Sequence, residues 1–276
     1  MNLSTRRRRE SQIPLLIWIG AVLALIMLLL PVVIVVLAGL NAGDFLSFPP
    51  QGFSLRWVWA FLSSSTYFGA YLFSLGLAAM TMVISTTIGT MAALYLTRSQ
   101  SRWTAPLRSF FMAPIVLPGL VLGLALYVFY VTTNFGLARS LPGMLIGHVL
   151  VTCPFVIGTV TAALVGFDRS LEEAARSLGA GPWTAFRKIT LRLIAPGVTA
   201  GAIFAFIISF GQFEIALFLS TPNIQPLPMA MYISLRYAFE PIAAAAGIFA
   251  IALVVVSMVI TAGLIDFRRL GAPTKK

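Results

Sequence analysis

Long apolar stretches separated by short polar segments run through the whole chain. Six of them are long enough to cross a lipid bilayer, which takes about 20 residues in a helix. They lie near residues 14–40, 67–97, 106–131, 141–166, 194–219 and 242–265. The pattern therefore predicts an all-α membrane protein with six transmembrane helices.

The composition agrees with a membrane location. Of the 276 residues, 59% are hydrophobic and only 10% are charged, whereas soluble domains carry about 25% charged residues. The single cysteine, Cys153, lies within an apolar stretch. An intrachain disulfide and a cysteine-based zinc site are therefore both excluded.

The basic residues are divided unequally between the two sides that six spans would define. The N-terminus, the second-to-third connection, the loop at 168–193 and the tail hold 16 of the 19 Lys and Arg residues. Cytoplasmic segments of membrane proteins are enriched in these residues. This predicts that both termini and the 168–193 loop are cytoplasmic. Because the basic residues border membrane spans, topology explains them, and nucleic-acid binding is not expected.

A run of four arginines precedes the first apolar stretch, an arrangement that also occurs in secretory signal peptides. The apolar part of a signal peptide is about 7–15 residues long, but the chain carries no charge from Ile13 to Leu40. We therefore predict a retained first span, kinked at Pro31.

The loop between the fourth and fifth spans contains signals for two short helices. Ser170 and Glu173 have the spacing of a capping box, and Gly179 stands where a helix would end in the left-handed conformation. Pro182 suits the first turn of a second helix. The segment therefore predicts a helix–turn–helix that either docks on another protein or lies as an amphipathic connector on the lipid headgroups.

The sequence Glu173-Ala174-Ala175, followed by Gly179 and Ile189, resembles the EAA loop of the permease subunits of ABC importers. Three further segments resemble the polyamine-type branch of that family: 53–57 (FSLRW), 113–130 (APIVLPGLVLGLALYVFY) and 234–241 (SLRYAFEP). The resemblance implies the six-helix permease core of binding-protein-dependent importers. It also implies that Glu173, Ala174, Ala175, Gly179 and Ile189 form a coupling loop seated in a cleft of an ATPase subunit.

The apolar stretches and the distribution of basic residues predict the organisation of the chain, and the resemblance implies its partners. The parts would be a basic cytoplasmic N-terminus (1–13), a first span (14–40), a periplasmic loop (41–66), a five-span core (67–267) that includes the coupling loop 168–193, and a cytoplasmic tail (268–276). The partners would be two ATP-binding subunits, a second and different permease subunit, and a periplasmic or lipid-anchored solute-binding protein. Both termini would face the cytoplasm of a bacterial inner membrane, in contact with its lipid.

The sequence departs from the family pattern at two places. Arg192 stands where the loop usually has proline, so the second short helix is expected to run on further. Gly211 and Gln212 replace the Asp-Glu pair of polyamine permeases, and Glu214 follows two positions after the lost glutamate. The resemblance favours a polyamine as substrate. The missing pair leaves an aminophosphonate, an opine-like compound or a cationic amino acid open.

An ionisable group inside a membrane is a functional candidate by default. We therefore predict that Glu214, with Gln212 and Ser209, lines the substrate pathway; a role in helix packing alone is the alternative. His148 shares a helix face with Thr152 and Thr159. This histidine either contacts solute or senses pH, or forms a hydrogen bond between helices.

The chain offers little for catalysis. Its single histidine excludes an HExxH zinc site, and it has no GxxxxGK[ST] phosphate loop. We therefore predict a transport subunit that is not an enzyme and binds no cofactor, with ATP and Mg bound by the partner ATPase. A self-sufficient secondary transporter is a remote alternative, but the sequence shows no internal repeat of the kind such proteins often have.

Overall fold

The computed structural model describes residues 15–166 and 168–270, and within them every regular element is a helix. The helices are α1 (Leu15–Gly39), α2 (Arg56–Ser63), α3 (Ser65–Arg98), α4 (Thr104–Val116), α5 (Gly119–Thr133), α6 (Leu141–Val165), α7 (Ser170–Ser177), α8 (Pro182–Ala185), α9 (Leu191–Phe210), α10 (Glu214–Leu219), α11 (Leu227–Tyr237) and α12 (Ile242–Leu270). The predicted all-α class is confirmed. Residues 1–14 and 271–276, which include the basic N-terminus and most of the tail, lie outside the described residues.

Five helical segments are long and apolar enough to span a membrane: 17–39, 65–98, 141–165, 182–210 and 242–260. A sixth crossing requires α4 and α5 together, and their axes differ by 106°. The continuous third span predicted at 106–131 is therefore wrong. Leu117 is extended (ψ 134°) because it precedes Pro118, and proline disfavours the helical conformation of the residue before it.

The fifth predicted span, 194–219, is also interrupted. The helix α9 ends at Phe210, and α10 begins only at Glu214. At its N-terminal end the helical segment begins earlier than the predicted span. A single π-helical turn, Phe186–Thr190, joins α8 to α9, so the chain is helical from Pro182 to Phe210. This continuity agrees with the expectation drawn from Arg192 in place of proline.

Helices α3, α6 and α9 form the centre of the bundle, and small residues bring them close together. A Cβ atom at Gly89 of α3 would lie 2.8 Å from the Val156 side chain of α6. On α9, a Cβ at Gly197 would lie 2.8 Å from the Thr159 carbonyl oxygen. Close backbone contact of this kind holds helices together in membranes, where burial against lipid offers no net gain. The three helices therefore pack as one tight unit.

The first helix, α1, packs on α12 only near its end. Gly39 approaches the backbone of Ala244, and Gly247 approaches Val35. Most side chains from residue 17 to 33 are exposed. The helix continues through Pro31.

The loop that follows α1 is organised around Asn41, which is fully buried. Its Nδ2 donates to the Phe45 carbonyl (3.0 Å) and to Ser47 Oγ (3.1 Å). Its Oδ1 accepts from the backbone N–H groups of Gly43 (3.2 Å) and Gln51 (2.9 Å). One side chain thus fixes four points of the loop.

We expect Asn41→Ala to release this loop. The substitution removes the partner of three partly buried backbone groups, and each hydrogen bond lost costs about 0.5–1.5 kcal/mol. Limited proteolysis of the purified protein should show new cleavage between residues 43 and 51, with no change elsewhere. Ser54→Ala, which removes a single exposed hydrogen bond to the Arg56 N–H, is the control. Equal protection of both variants would contradict this account of the loop.

Candidate functional site

Residues 168–190, which we call the knuckle, comprise α7, α8 and the π-helical turn. The predicted capping box at its start is wrong. Ser170 lies inside α7, and its backbone N–H is bound by Asp168 Oδ1 at 2.9 Å. The hydrogen bonds from Ser170 favour the charged carboxylate and lower the pKa of Asp168. The N-cap position is held by Arg169, whose side chain makes no capping hydrogen bond.

The turn after α7 is confirmed as predicted. Gly179 has a φ of +89°, which glycine adopts without steric cost. The Ala180 N–H donates to the Ala175 carbonyl (3.1 Å), and the Gly179 N–H donates to the Arg176 carbonyl (3.0 Å). These two bonds define a Schellman motif. Pro182 then occupies the first turn of α8, also as predicted.

The tip of the knuckle presents apolar side chains to its surroundings. Leu178 is 90% exposed and Trp183 is 69% exposed. Of the predicted coupling residues, Glu173, Ala174 and Gly179 are exposed, whereas Ala175 and Ile189 are partly buried. An exposed apolar tip with a neighbouring carboxylate is typical of a surface that binds protein. The coupling role of these residues stays a prediction.

The base of the knuckle contains a polar cluster that sequence reasoning missed. Arg98, the last residue of α3, pairs with Glu172 of α7 at 2.7 Å. Thr190, at the end of the π-helical turn, donates to the same carboxylate at 2.8 Å. Glu172 and Thr190 lie near the two ends of the knuckle, while Arg98 is 74 residues away from Glu172 in sequence. No local pattern could have indicated this contact.

These contacts control the ionisation of Glu172. Burial raises its pKa, but the hydrogen bonds from Thr190 and Arg98 and the charge of Arg98 outweigh burial, so the net pKa is lowered. The stabilisation is therefore complete above the ordinary carboxyl pKa. It is lost as the pH falls through the lowered value.

A second site lies where the two interrupted spans meet, which we call the junction. Gly119 and Gly123 of α5 face α10. A Cβ at Gly119 would lie 3.1 Å from Glu214 Cγ, and one at Gly123 would lie 2.7 Å from the Glu214 carbonyl oxygen. This pair of glycines therefore supports close helix packing, and its partner is α10.

The three predicted pathway residues occupy different environments at the junction. Glu214 and Gln212 are half-buried, and among the described residues no side chain hydrogen-bonds to either. Ser209 is buried and lies 2.8 Å from His148 Nδ1. Ser209 and His148 thus link α9 to α6, as the packing interpretation of His148 expects. Within the part of the chain that the structure describes, the side chains of Glu214 and Gln212 have no hydrogen-bond partner.

A column of polar side chains continues from His148 through the bundle. The Thr152 hydroxyl donates a hydrogen bond to the His148 carbonyl (2.8 Å). Because a hydroxyl has a single hydrogen atom, Thr152 Oγ1 accepts the hydrogen bond that it shares with the Ser85 hydroxyl of α3 (2.7 Å). The predicted polar face of α6 therefore points inward at His148 and Thr152. Its partner on α3, Ser85, was missed, although Thr81 and Ser85 have the helical spacing of a polar face on that helix.

Residues 85–271, more than half of the chain, match the family described as binding-protein-dependent transport system inner membrane component. The chain belongs to this family. It is thus a multi-pass inner-membrane protein and the permease component of an ABC importer, and it is not itself catalytic. Family membership also implies partnership with an ATPase and a binding protein.

Curated relatives of this permease include proteins with different named substrates. It is 29% identical over 214 residues to the spermidine/putrescine transport system permease protein PotC of Escherichia coli K12, covering 78% of this chain and 80% of PotC. It is 32% identical over 195 residues to the putrescine transport system permease protein PotI of the same organism, covering 69% of each chain. It is also 30% identical over 230 residues to the molybdenum transport system permease protein ModB of Mycobacterium bovis, covering 79% of this chain and 86% of ModB.

Solved structures agree with the fold of the permease. A chain of a bacterial ABC transporter involved in the import of the acidic polysaccharide alginate superposes with a TM-score of 0.69 at 18% identity, covering 98% of this chain and all of that one. A chain of the inward-facing methionine ABC transporter MetNI gives a TM-score of 0.58 at 18% identity, covering 73% of this chain and 95% of that one. At this identity the likeness shows the fold alone.

Proposed function

We propose that this permease forms half of the membrane pathway for a polyamine or another small amine-bearing solute. The observation that carries the proposal is the half-buried Glu214 carboxylate at the junction, which has no hydrogen-bonding side chain among the described residues. Transporters commonly place their binding sites where interrupted helices meet inside the membrane. A carboxylate there would attract an ammonium group and disfavour an anion.

The relatives support this substrate class without deciding it. PotC and PotI are named for spermidine and putrescine, but ModB, named for molybdenum, has a comparable identity. The substrate must therefore be argued from the junction itself. Glu214 is compatible with a polyamine, and also with an aminophosphonate, an opine-like compound or a cationic amino acid. Membership of a partner-dependent family argues against the self-sufficient secondary transporter.

The knuckle supplies the proposed contact with the ATPase. Leu178 and Trp183 would enter a cleft of that subunit, with Glu173 and Ala174 beside them. Two ATPase subunits, each holding ATP and Mg, would act on two permease subunits, of which the second is a different chain. In this arrangement the knuckle and both termini face the cytoplasm, as the distribution of basic residues predicts.

The test of the substrate proposal is ATPase activity of the reconstituted complex across a panel of amines. We expect putrescine or spermidine to stimulate hydrolysis in the wild type. Glu214→Gln should raise the half-saturating amine concentration by about 10- to 100-fold, because a hydrogen bond to a charged group contributes about 1.5–3 kcal/mol.

Glu240→Gln makes the same chemical change just after α11, away from the junction, and serves as the control. It should leave amine stimulation at the wild-type level. Unchanged stimulation in Glu214→Gln would refute the role of that carboxylate. Stimulation by a zwitterionic amine alone would assign the permease to a different solute.

A further inference from the structure

Three segments meet at the base of the knuckle in a single network. Both terminal nitrogens of Arg98 face the Glu172 carboxylate, Nη2 to Oε2 at 2.7 Å and Nη1 to Oε1 at 3.4 Å. The Thr190 hydroxyl donates to Oε2 at 2.8 Å, and Arg98 Nη2 reaches Thr190 Oγ1 at 3.3 Å. Each of the three side chains thus contacts the other two. Together they connect α3, α7 and the start of α9.

The network is partly shielded from solvent. The Glu172 side chain is 18% exposed, the Arg98 side chain is 31% exposed, and Thr190 is fully buried. Fully exposed ion pairs contribute little to stability because water screens them. A two-point arginine–carboxylate contact with a third hydrogen bond is stronger and has a fixed geometry. The network can therefore hold its segments in one arrangement.

Two further features attach the knuckle to the bundle. Arg169, at the start of α7, donates from Nη2 to the Thr97 carbonyl of α3 at 3.1 Å. The π-helical turn 186–190 carries the chain into α9 without a break and ends on the buried Thr190. Single π-helical turns inside helices are often found at functional sites. The knuckle is thus joined to α6 and α9 by the chain, and it is attached to α3 by hydrogen bonds that arginine side chains donate.

We propose that Arg98, Glu172 and Thr190 form a clamp that makes the knuckle, α3 and α9 move as one body when the ATPase moves. The proposal rests on the proposed docking of the knuckle on the ATPase. With the clamp, a displacement of the knuckle reaches α3 and α9 together, and close packing passes it on to α6. Without the clamp, the displacement enters the bundle through the chain at α6 and α9, and among the described residues the Arg169 bond to the Thr97 carbonyl is the remaining hydrogen bond from the knuckle to α3. These three are positioning residues, since they act through the bundle and not on the solute.

The clamp is tested in the assembled complex by a readout that does not depend on the identity of the solute. Gly211, which is exposed at the junction, is replaced by cysteine in a Cys153→Ala background. Its rate of labelling by a thiol reagent is compared without nucleotide and after trapping with MgATP and vanadate. We expect the trapped and untrapped rates to differ by about fivefold or more with the clamp intact, the lower end of typical coupling between sites.

Glu172→Gln should lower the ratio of the trapped to the untrapped labelling rate to about half of its wild-type value or less, while the ATPase still co-purifies and its KM for ATP stays unchanged. Exchange of the charges, Arg98→Glu with Glu172→Arg, should restore most of the ratio; a merely structural role for either residue would give no such rescue. The neighbouring Glu173→Gln is the matched control. Glu173 is exposed at the proposed docking surface, so its loss should weaken co-purification and leave the ratio of the remaining complexes intact.

A ratio of trapped to untrapped labelling rates in Glu172→Gln equal to that of the protein with an intact clamp would contradict the clamp. It would not contradict the proposed function. The clamp would also be contradicted if the ratio of labelling rates fell only in variants that no longer co-purify with the ATPase. The defect would then be one of docking. If the protein with an intact clamp shows no nucleotide-dependent labelling although the ATPase co-purifies, the ATP-driven function fails and the clamp fails with it.

Discussion

Gly179→Val should abolish ATP-coupled transport while the permease still folds in the membrane. The φ of +89° at this position is one that a β-branched residue adopts only with strain, at a cost on the order of 1–3 kcal/mol. An added Cβ would meet nothing within 4 Å, so the effect comes from the backbone and not from a clash. Relief of the strain requires the turn to open, which breaks the Schellman bonds and moves Leu178 away from Trp183.

The measurement is co-purification of the ATPase subunit together with solute uptake in proteoliposomes. Gly181→Val is the matched control, because it lies two residues away, also has open space around its Cβ, and has an ordinary φ of −63°. We expect Gly181→Val to retain the ATPase and Gly179→Val to lose it. Normal assembly and transport by Gly179→Val would contradict the docking role of the knuckle.

Gly123→Ala should destabilise the permease, although replacing glycine by alanine inside a helix usually stabilises it by about 0.5–1 kcal/mol. The new methyl group would lie 2.7 Å from the Glu214 carbonyl oxygen and 2.9 Å from the Phe218 ring. A backbone oxygen cannot rotate away, so α5 and α10 must separate. Overpacking of this kind costs about 1–3 kcal/mol.

The melting temperature in detergent measures this effect, with Gly76→Ala as the control. Gly76 lies inside α3, and a Cβ there would meet nothing within 4 Å, so alanine should keep or raise the melting temperature. We expect the two substitutions to act with opposite signs. A melting temperature of Gly123→Ala equal to or above that of the wild type would show that the junction is looser than the structure indicates.

Hydropathy identified the apolar segments, because each span is a long stretch with few charges. It could not find the two interruptions, because Leu117 and Gly211 lie within stretches whose average hydropathy stays high. Proline alone is not a sufficient signal. Pro31, Pro154 and Pro196 lie inside continuous helices, whereas Pro118 begins a new one. At Pro118 the break is accompanied by close contacts of Gly119 and Gly123 with α10.

At the candidate site, local signals were predictable and distant contacts were not. The glycine turn of the knuckle follows from the conformational freedom of Gly179, and the position of Pro182 follows from helix chemistry. The capping box predicted from Ser170 and Glu173 does not form, because α7 begins at Ser170 and the backbone N–H of Ser170 binds Asp168 Oδ1 instead. The pairing of Arg98 with Glu172 depends on how α3 packs, which a single sequence does not contain.

The two interruptions at the junction have a consequence for how the transported solute can change over evolution. Inside a bilayer, backbone groups without helical partners must be buried in protein or reached by water, so the junction already tolerates polar contents. The close packing of α5 on α10 rests on Gly119 and Gly123. If Gln212 and Glu214 line the pathway as proposed, substitutions of their side chains would alter selectivity while the glycine packing of α5 on α10 persists. Related permeases could acquire new substrates through single-residue steps, without first passing through a misfolded intermediate.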